Sequence, residues 1–101
     1  MSFSEENHLY CTAIIQSTKK VPYEQLVSKL NQLKEDTNSE LGCISFEIVP
    51  LNRDKERFAL WEVWKDTNAF YTHHKKEYTK RFFNEKLDTI ELFESSKEVT
   101  I

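Results

Sequence analysis

Glycine is nearly missing from this chain: one residue in 101, alongside two prolines, one methionine and two cysteines. A lone glycine cannot build a G-x-G-x-x-G dinucleotide turn or a P-loop, since both need several positions where a side chain would block the phosphates. The same counts exclude collagen-like, flexible-linker and proline-rich organisation. No apolar run approaches the ~20 residues of a membrane span. The run Met1-Ser2-Phe3-Ser4-Glu5-Glu6 is acidic and lacks an apolar centre, so no secretory signal is expected. Two cysteines without metal-ligand spacing read as free thiols, which points to a reducing cytoplasm. Fourteen basic against 17 acidic residues give a net charge of -3, with no general attraction to nucleic acid or an anionic membrane.

What is present is enough for a core. Leu, Ile, Val and Phe supply 27 residues, above the roughly 20% floor below which disorder is expected. A chain this long buries about 60 to 70% of the surface it exposes when unfolded, so a partner subunit would help. No repeat or linker divides residues 1–101, and one domain with a core over about 8–94 is expected.

His8 to Gln16 is rich in β-branched and aromatic residues and reads as a strand. Pro22 suits a first helical turn, and Tyr23, Leu26, Val27, Leu30 and Leu33 follow as one apolar helical stripe. Asn38 and Ser39 end that helix, and Gly42 is expected to turn the chain into the sheet, with positive φ. Cys43–Val49 and Arg57–Trp64 read as two strands of a hairpin across a polar loop. Asp66 is a good N-cap for a helical region from Thr67 to about Leu87, with a break near Lys75. Ile90 to Ile101 carries the last strand.

The order is βαββαβ, an α+β ferredoxin-like plan: an antiparallel sheet with two helices on one face. The other face should be polar, yet alternate residues of the first and third strands are apolar on both sides. A sheet apolar on both faces must cover the second one, so a homodimer, sheet against sheet, is expected. In this plan the strands carrying Cys11 and Cys43 are separated by the third strand. Their Cα atoms then lie about 10 Å apart, beyond disulfide reach.

Three segments resemble a known family. Leu41-Gly42-Cys43-Ile44-Ser45-Phe46-Glu47 resembles the x-G-C-x-x-[FY]-E segment of the antibiotic biosynthesis monooxygenases. Arg57-Phe58-Ala59-Leu60-Trp61-Glu62-Val63-Trp64 is similar to that family's third strand, R-F-x-x-x-E-x-W. Ala69-Phe70 followed by His73 resembles its A-x-x-x-H helix start. The likeness spans about Leu9 to Phe93. It implies a dimeric α/β barrel and, in one branch, cofactor-independent oxygenases of phenolic, quinol or anthrone substrates. Other members degrade heme or process small signalling molecules, and some have no known activity.

A cofactor-free oxygenase must deprotonate its substrate and hold it in an apolar pocket, and histidine is the natural base. His73 falls at the family's helix histidine and is the candidate catalytic residue. The plainer reading of His73 and His74 is solvated helix positions beside Lys75 and Lys76, and for His74 that is the favoured one. Trp64, at a strand end, and Tyr71 are candidate pocket walls, with His74 and Asn7 as further candidate substrate contacts. Phe46 and Trp61 read as core or dimer interface. Glu62, in an otherwise apolar strand, is a buried base or an ion-pair partner of Arg57, Arg81 or another subunit. The ion pair is preferred, because a lone buried carboxylate is costly.

The heme-degrading branch uses an asparagine at the start of strand one, a tryptophan on the second helix and a heme-ligating histidine ten residues later. Here Asn7 matches, His73 replaces the tryptophan and Phe83 replaces the iron ligand, which argues against heme degradation. No metal site is expected: adjacent helix histidines point about 100° apart, and no H-E-x-x-H or Cys-His pair is present. RNA-recognition motifs share βαββαβ, and Arg57-Phe58-Ala59-Leu60-Trp61 resembles their third-strand motif. The motif's glycine is absent, Glu62 puts charge on the strand, and the basic patch at Lys75, Lys76, Lys80 and Arg81 is on the helix. Two function classes remain. One is a cytoplasmic, homodimeric, cofactor-independent monooxygenase of a flat aromatic or quinol-like small molecule. The other is a non-catalytic module binding a small molecule or heme on the same scaffold.

Overall fold

The computed structural model describes residues 6–100. Most of the N-terminal acidic run, and Ile101 at the end of the expected last strand, lie outside the described residues.

The first strand, β1 (Leu9–Ser17), alternates between buried and accessible side chains. Helix α1 (Tyr23–Asn38) starts after Pro22, whose carbonyl accepts from the Gln25 and Leu26 N–H groups. Its stripe buries Leu26 and Leu30 against the sheet. Its C-terminus is closed by Ser39, whose hydroxyl donates to the Asp36 carbonyl at 2.7 Å. Asn38 also ties this helix to the next strand. Its amide donates to the Phe46 carbonyl at 2.8 Å and accepts from the Phe46 N–H at 3.2 Å.

Strands β2 (Cys43–Pro50) and β3 (Arg57–Trp64) form the expected hairpin, joined through a 3-10 turn at Arg53–Lys55 that Asn52 caps. Asp66 caps α2 (Thr67–His74) by accepting from the Ala69 N–H at 2.8 Å. The helical region breaks at Lys75, as its sequence predicts, and resumes as α3 (Glu77–Asn84). Strand β4 spans Asp88–Ser95, earlier than the expected Ile90 to Ile101. Its pairing runs from Asp88 beside Ser17 to Ser95 beside Cys11, so β1 sets its length.

The sheet order is β2-β3-β1-β4 and both pairings of β1 are antiparallel, which is the ferredoxin-like arrangement. The sheet is open, and the helices cover one face. Between them lie Leu9, Ile15, Leu30, Phe46, Phe58 and Phe70, all buried. The uncovered face carries Tyr10, Val49, Trp61 and Leu92, each at least 41% exposed. Cys11 and Cys43 are free, on strands separated by β3. Burial pushes both thiols up, Cys11 to about 12 and Cys43 to about 11, so neither is a ready nucleophile.

Gly42 departs from expectation. Its φ is not positive. A Cβ there would lie 2.4 Å from the Cβ of Ala69. The residue is needed for close approach: the turn before β2 packs directly on the first turn of α2, and the Gly42 carbonyl accepts from the Lys65 N–H at 2.8 Å. The positions that do take the left-handed conformation are Lys19, Glu56 and Lys86.

Candidate active site

The site lies between the sheet and the paired short helices. Asp66 fixes where α2 begins, and helical spacing then turns Phe70 and His73 inward. Phe70 is fully buried and His73 only 4% exposed. Three strand-borne or helix-borne rings surround the imidazole: Trp64 with centroids 4.9 Å apart, Phe46 at 5.8 Å and His74 at 5.1 Å.

The break at Lys75 folds α3 back, so Tyr78 and Thr79 return to His73. Glu40, in the turn after α1, completes the cluster. One of its oxygens lies 2.8 Å from His73 Nδ1 and also accepts from the Tyr78 hydroxyl. Both side chains of the Glu40–His73 pair are almost wholly buried. Tyr78 also reaches the Asp36 carbonyl at 3.2 Å. A carboxylate can only accept, so His73 Nδ1 carries the proton and Nε2 is left as a lone-pair acceptor.

Burial holds His73 below the usual imidazole range, with the Glu40 carboxylate partly opposing this. Burial also brings His74 down to about 4, helped by His73. Tyr78 is pushed up, first by burial and then by Glu40. Burial raises Glu62, against the pull of the Trp64 N–H.

A cavity of about 60 Å³ opens beside His73. Its floor is the sheet, at Ala13, Leu60 and Glu62; its outer wall includes His74, Phe83 and Ile90. Its lining is mostly apolar, and it is far below the roughly 300 Å³ at which drug-sized pockets begin.

The sequence-predicted residues are not all brought together. His73 and His74 line the cavity. The expectation of a solvated His74 is corrected, since its ring packs 4.6 Å from Phe70 and stacks on Phe83 at 5.7 Å. Trp64 does not form a pocket mouth. It is fully buried behind His73, and its indole N–H donates to Glu62 at 2.9 Å. Tyr71 lies on the outer flank of α2, where its hydroxyl accepts from the Thr100 N–H at 3.0 Å. Asn7 is exposed in the turn before β1, outside the cavity lining. Of the partners expected for Glu62, Arg57 pairs instead with Glu91 at 2.8 Å. Glu47, by contrast, pairs with Lys34 at 2.9 Å.

Sequence reading missed Glu40 and gave Tyr78, near the histidines by helical spacing, no role. Glu40 is one acidic residue among many near a helix end, and no periodicity marks it. Its place two residues before Gly42 is the only local cue. Among the described residues no group of three or more His, Cys, Asp or Glu could hold a metal ion.

Comparison with known proteins adds the following. The family model for antibiotic biosynthesis monooxygenase matches residues 19–85. The chain is 29% identical over 82 residues to the uncharacterised protein YjcS of Bacillus subtilis, covering 81% of this chain and 78% of that one. The solved structure of YjcS superposes with a TM-score of 0.84 at 27% identity, over 91% of this chain and 99% of that one. A Shewanella oneidensis protein gives a TM-score of 0.72 at 26% identity, covering 89% and 87%. A Bacteroides thetaiotaomicron structure, provisionally assigned as an antibiotic biosynthesis monooxygenase, shares the fold with a TM-score of 0.75 at 17% identity, covering 96% and 92%.

Proposed function

The chain belongs to the antibiotic biosynthesis monooxygenase family, and from that premise we propose that it is a cytoplasmic, cofactor-independent monooxygenase of a flat aromatic or quinol-like substrate, with His73 as general base. The observation that carries this reading is the buried Glu40 contact at His73 Nδ1, which leaves Nε2 as the acceptor of a histidine that lines an apolar cavity.

The chemistry follows from that nitrogen. Nε2 takes a proton from an activated O–H or an acidic C–H. The substrate anion gives one electron to O2, and the resulting radical and superoxide combine to form a C–O bond. Breaking the O–O bond leaves one oxygen atom on the product and releases the other as water. For an anthrone the products are the quinone and water. Apolar walls favour O2 and exclude bulk water, which protects the anion from reprotonation. His74 and Phe83 form part of the outer wall, and admitting a multi-ring substrate requires that wall to move.

The second part of the reading is a homodimer through the uncovered sheet face. Tyr10, Trp61 and Leu92 on one face of an open sheet form the kind of apolar patch that marks an interface.

Oxygen uptake on a quinol and anthrone panel, without added flavin or metal, tests the function. His73→Ala should lower turnover by about 100-fold or more; full turnover in that variant would remove His73 from its role. Ligand uptake without oxygen consumption would favour a non-catalytic binding module.

A further inference from the structure

We propose that Glu62 is a hydrogen-bond donor to the substrate oxygen, opposite His73, so that the site takes enolisable carbonyl compounds, including the keto tautomers of phenols. This rests on the reading of His73 as the base.

Glu62 stands on β3 in the cavity floor and His73 on α2 above it, and both line the same space. Trp64 touches both. Its N–H donates to Glu62 Oε1 at 2.9 Å, while its ring packs 4.9 Å from the imidazole. The indole therefore occupies one carboxyl oxygen and fixes the group's orientation. Among the described residues no lysine, arginine or histidine nitrogen forms an ion pair with the group. Its neighbours across the sheet are Cys11 on β1 and Phe46 on β2, neither of them a cation.

A carboxyl 8% exposed, with one neutral donor and no counter-charge, is biased toward its protonated form. The buried carboxylic acid thus presents an O–H to the cavity, and desolvation acts in the same direction. A ligand that satisfies it needs an oxygen acceptor. A ligand that also uses His73 needs an acidic hydrogen on the carbon next to that oxygen's carbon, or on one conjugated with it. An enolisable carbonyl compound has both.

The step balances without any oxidant. The α C–H bond breaks, its proton forms an N–H bond at Nε2, and the electron pair moves through the carbon framework onto the carbonyl oxygen. The developing oxyanion accepts the Glu62 O–H. The step reverses when the imidazolium returns a solvent-exchanged proton. In air the same enolate is the species that would meet O2.

The test is anaerobic deuterium wash-in at the α carbon, read by NMR, with cyclohexanone as a compact probe and 1-tetralone as a flat bicyclic one. Wild-type protein should accelerate exchange of at least one probe. Glu62→Leu should lower the acceleration by about 100-fold or more, the loss usual for one oxyanion donor. Glu62→Gln, whose amide still donates, should stay within about tenfold of wild type. Infrared difference spectra of wild type against Glu62→Gln should show a protonated carboxyl stretch at pH 7 in the wild type. Wild-type exchange rates in a folded Glu62→Leu would overturn the proposal, as would absence of the infrared band. Equal losses in the Gln and Leu variants would overturn it in favour of an ionised base. Exchange lost in His73→Ala but kept in Glu62→Leu would leave the base reading standing. Exchange kept in His73→Ala would remove the base instead, and no wild-type exchange with either probe would overturn both.

Discussion

Glu40 holds two buried donors at once, His73 Nδ1–H and the Tyr78 hydroxyl. Removing it leaves the Tyr78 hydroxyl with the Asp36 carbonyl at 3.2 Å and the buried His73 Nδ1–H with only a long contact to the Thr79 hydroxyl at 3.4 Å, and one poorly satisfied buried donor costs about 1–3 kcal/mol. Glu40→Ala should therefore destabilise the fold by roughly 1–3 kcal/mol, seen as a lower denaturant midpoint. The histidines give the protein an acid limb. Both sit below the usual imidazole range, so the unfolded chain binds more protons once pH falls below about 6.5. The histidines' contribution should be full above that value and decline as pH falls toward 4, by at most about 1.4 kcal/mol per unit for each histidine. Solvent access at His74 makes its share smaller than this ceiling. His74→Phe should flatten the decline in thermal midpoint over that window. Glu62 acts with the opposite sign: its carboxyl is raised above 4.5, so its contribution is lost as pH climbs through that range. At this scale the site was half legible. A histidine on the inner stripe of a helix can be read from spacing. The carboxylate 33 positions earlier that orients it cannot, because only the packing of the turn after α1 against α2 and α3 makes them neighbours.

Among the elements, strands and caps followed from local chemistry: β-branched alternation and an aspartate before the helix. What local chemistry could not supply was the reason for the glycine. A turn after a helix suggests positive φ, whereas Gly42 is required by Ala69, 27 residues away, whose methyl occupies the space a side chain would need. Gly42→Ala should cost about 1–3 kcal/mol through overpacking. Ala69→Gly alone should cost about 1 kcal/mol in helix propensity. Combining the two should recover stability relative to their sum, and simple additivity in a double-mutant cycle would refute the contact. The last strand was placed too late in sequence because Leu92, Phe93 and Val99 suggest one apolar run. Val99 does pack on the core, but beyond the strand's end.

For the whole molecule, the βαββαβ order and the apolar second face were both readable, the first from periodicity and the second from alternate positions being apolar on both sides. The open sheet leaves Trp61 59% exposed near Tyr10 and Val63. Placing a charge there should break a sheet-to-sheet dimer without disturbing the covered face. Sedimentation at micromolar concentration should give a dimer for the wild type and a monomer for Trp61→Lys. A wild-type monomer would remove the dimer from the proposed function.

The two tryptophans, three residues apart on β3, fall on opposite sides of the sheet. That makes the protein its own two-channel optical gauge. Emission from Trp61 reports wetting of the outer face and is open to quenching by iodide when that face is bare. Emission from Trp64 is shielded from iodide and senses the protonation of the imidazole against which it packs. One cuvette can therefore follow coverage of the outer face and protonation of His73 as separate signals, with no label attached.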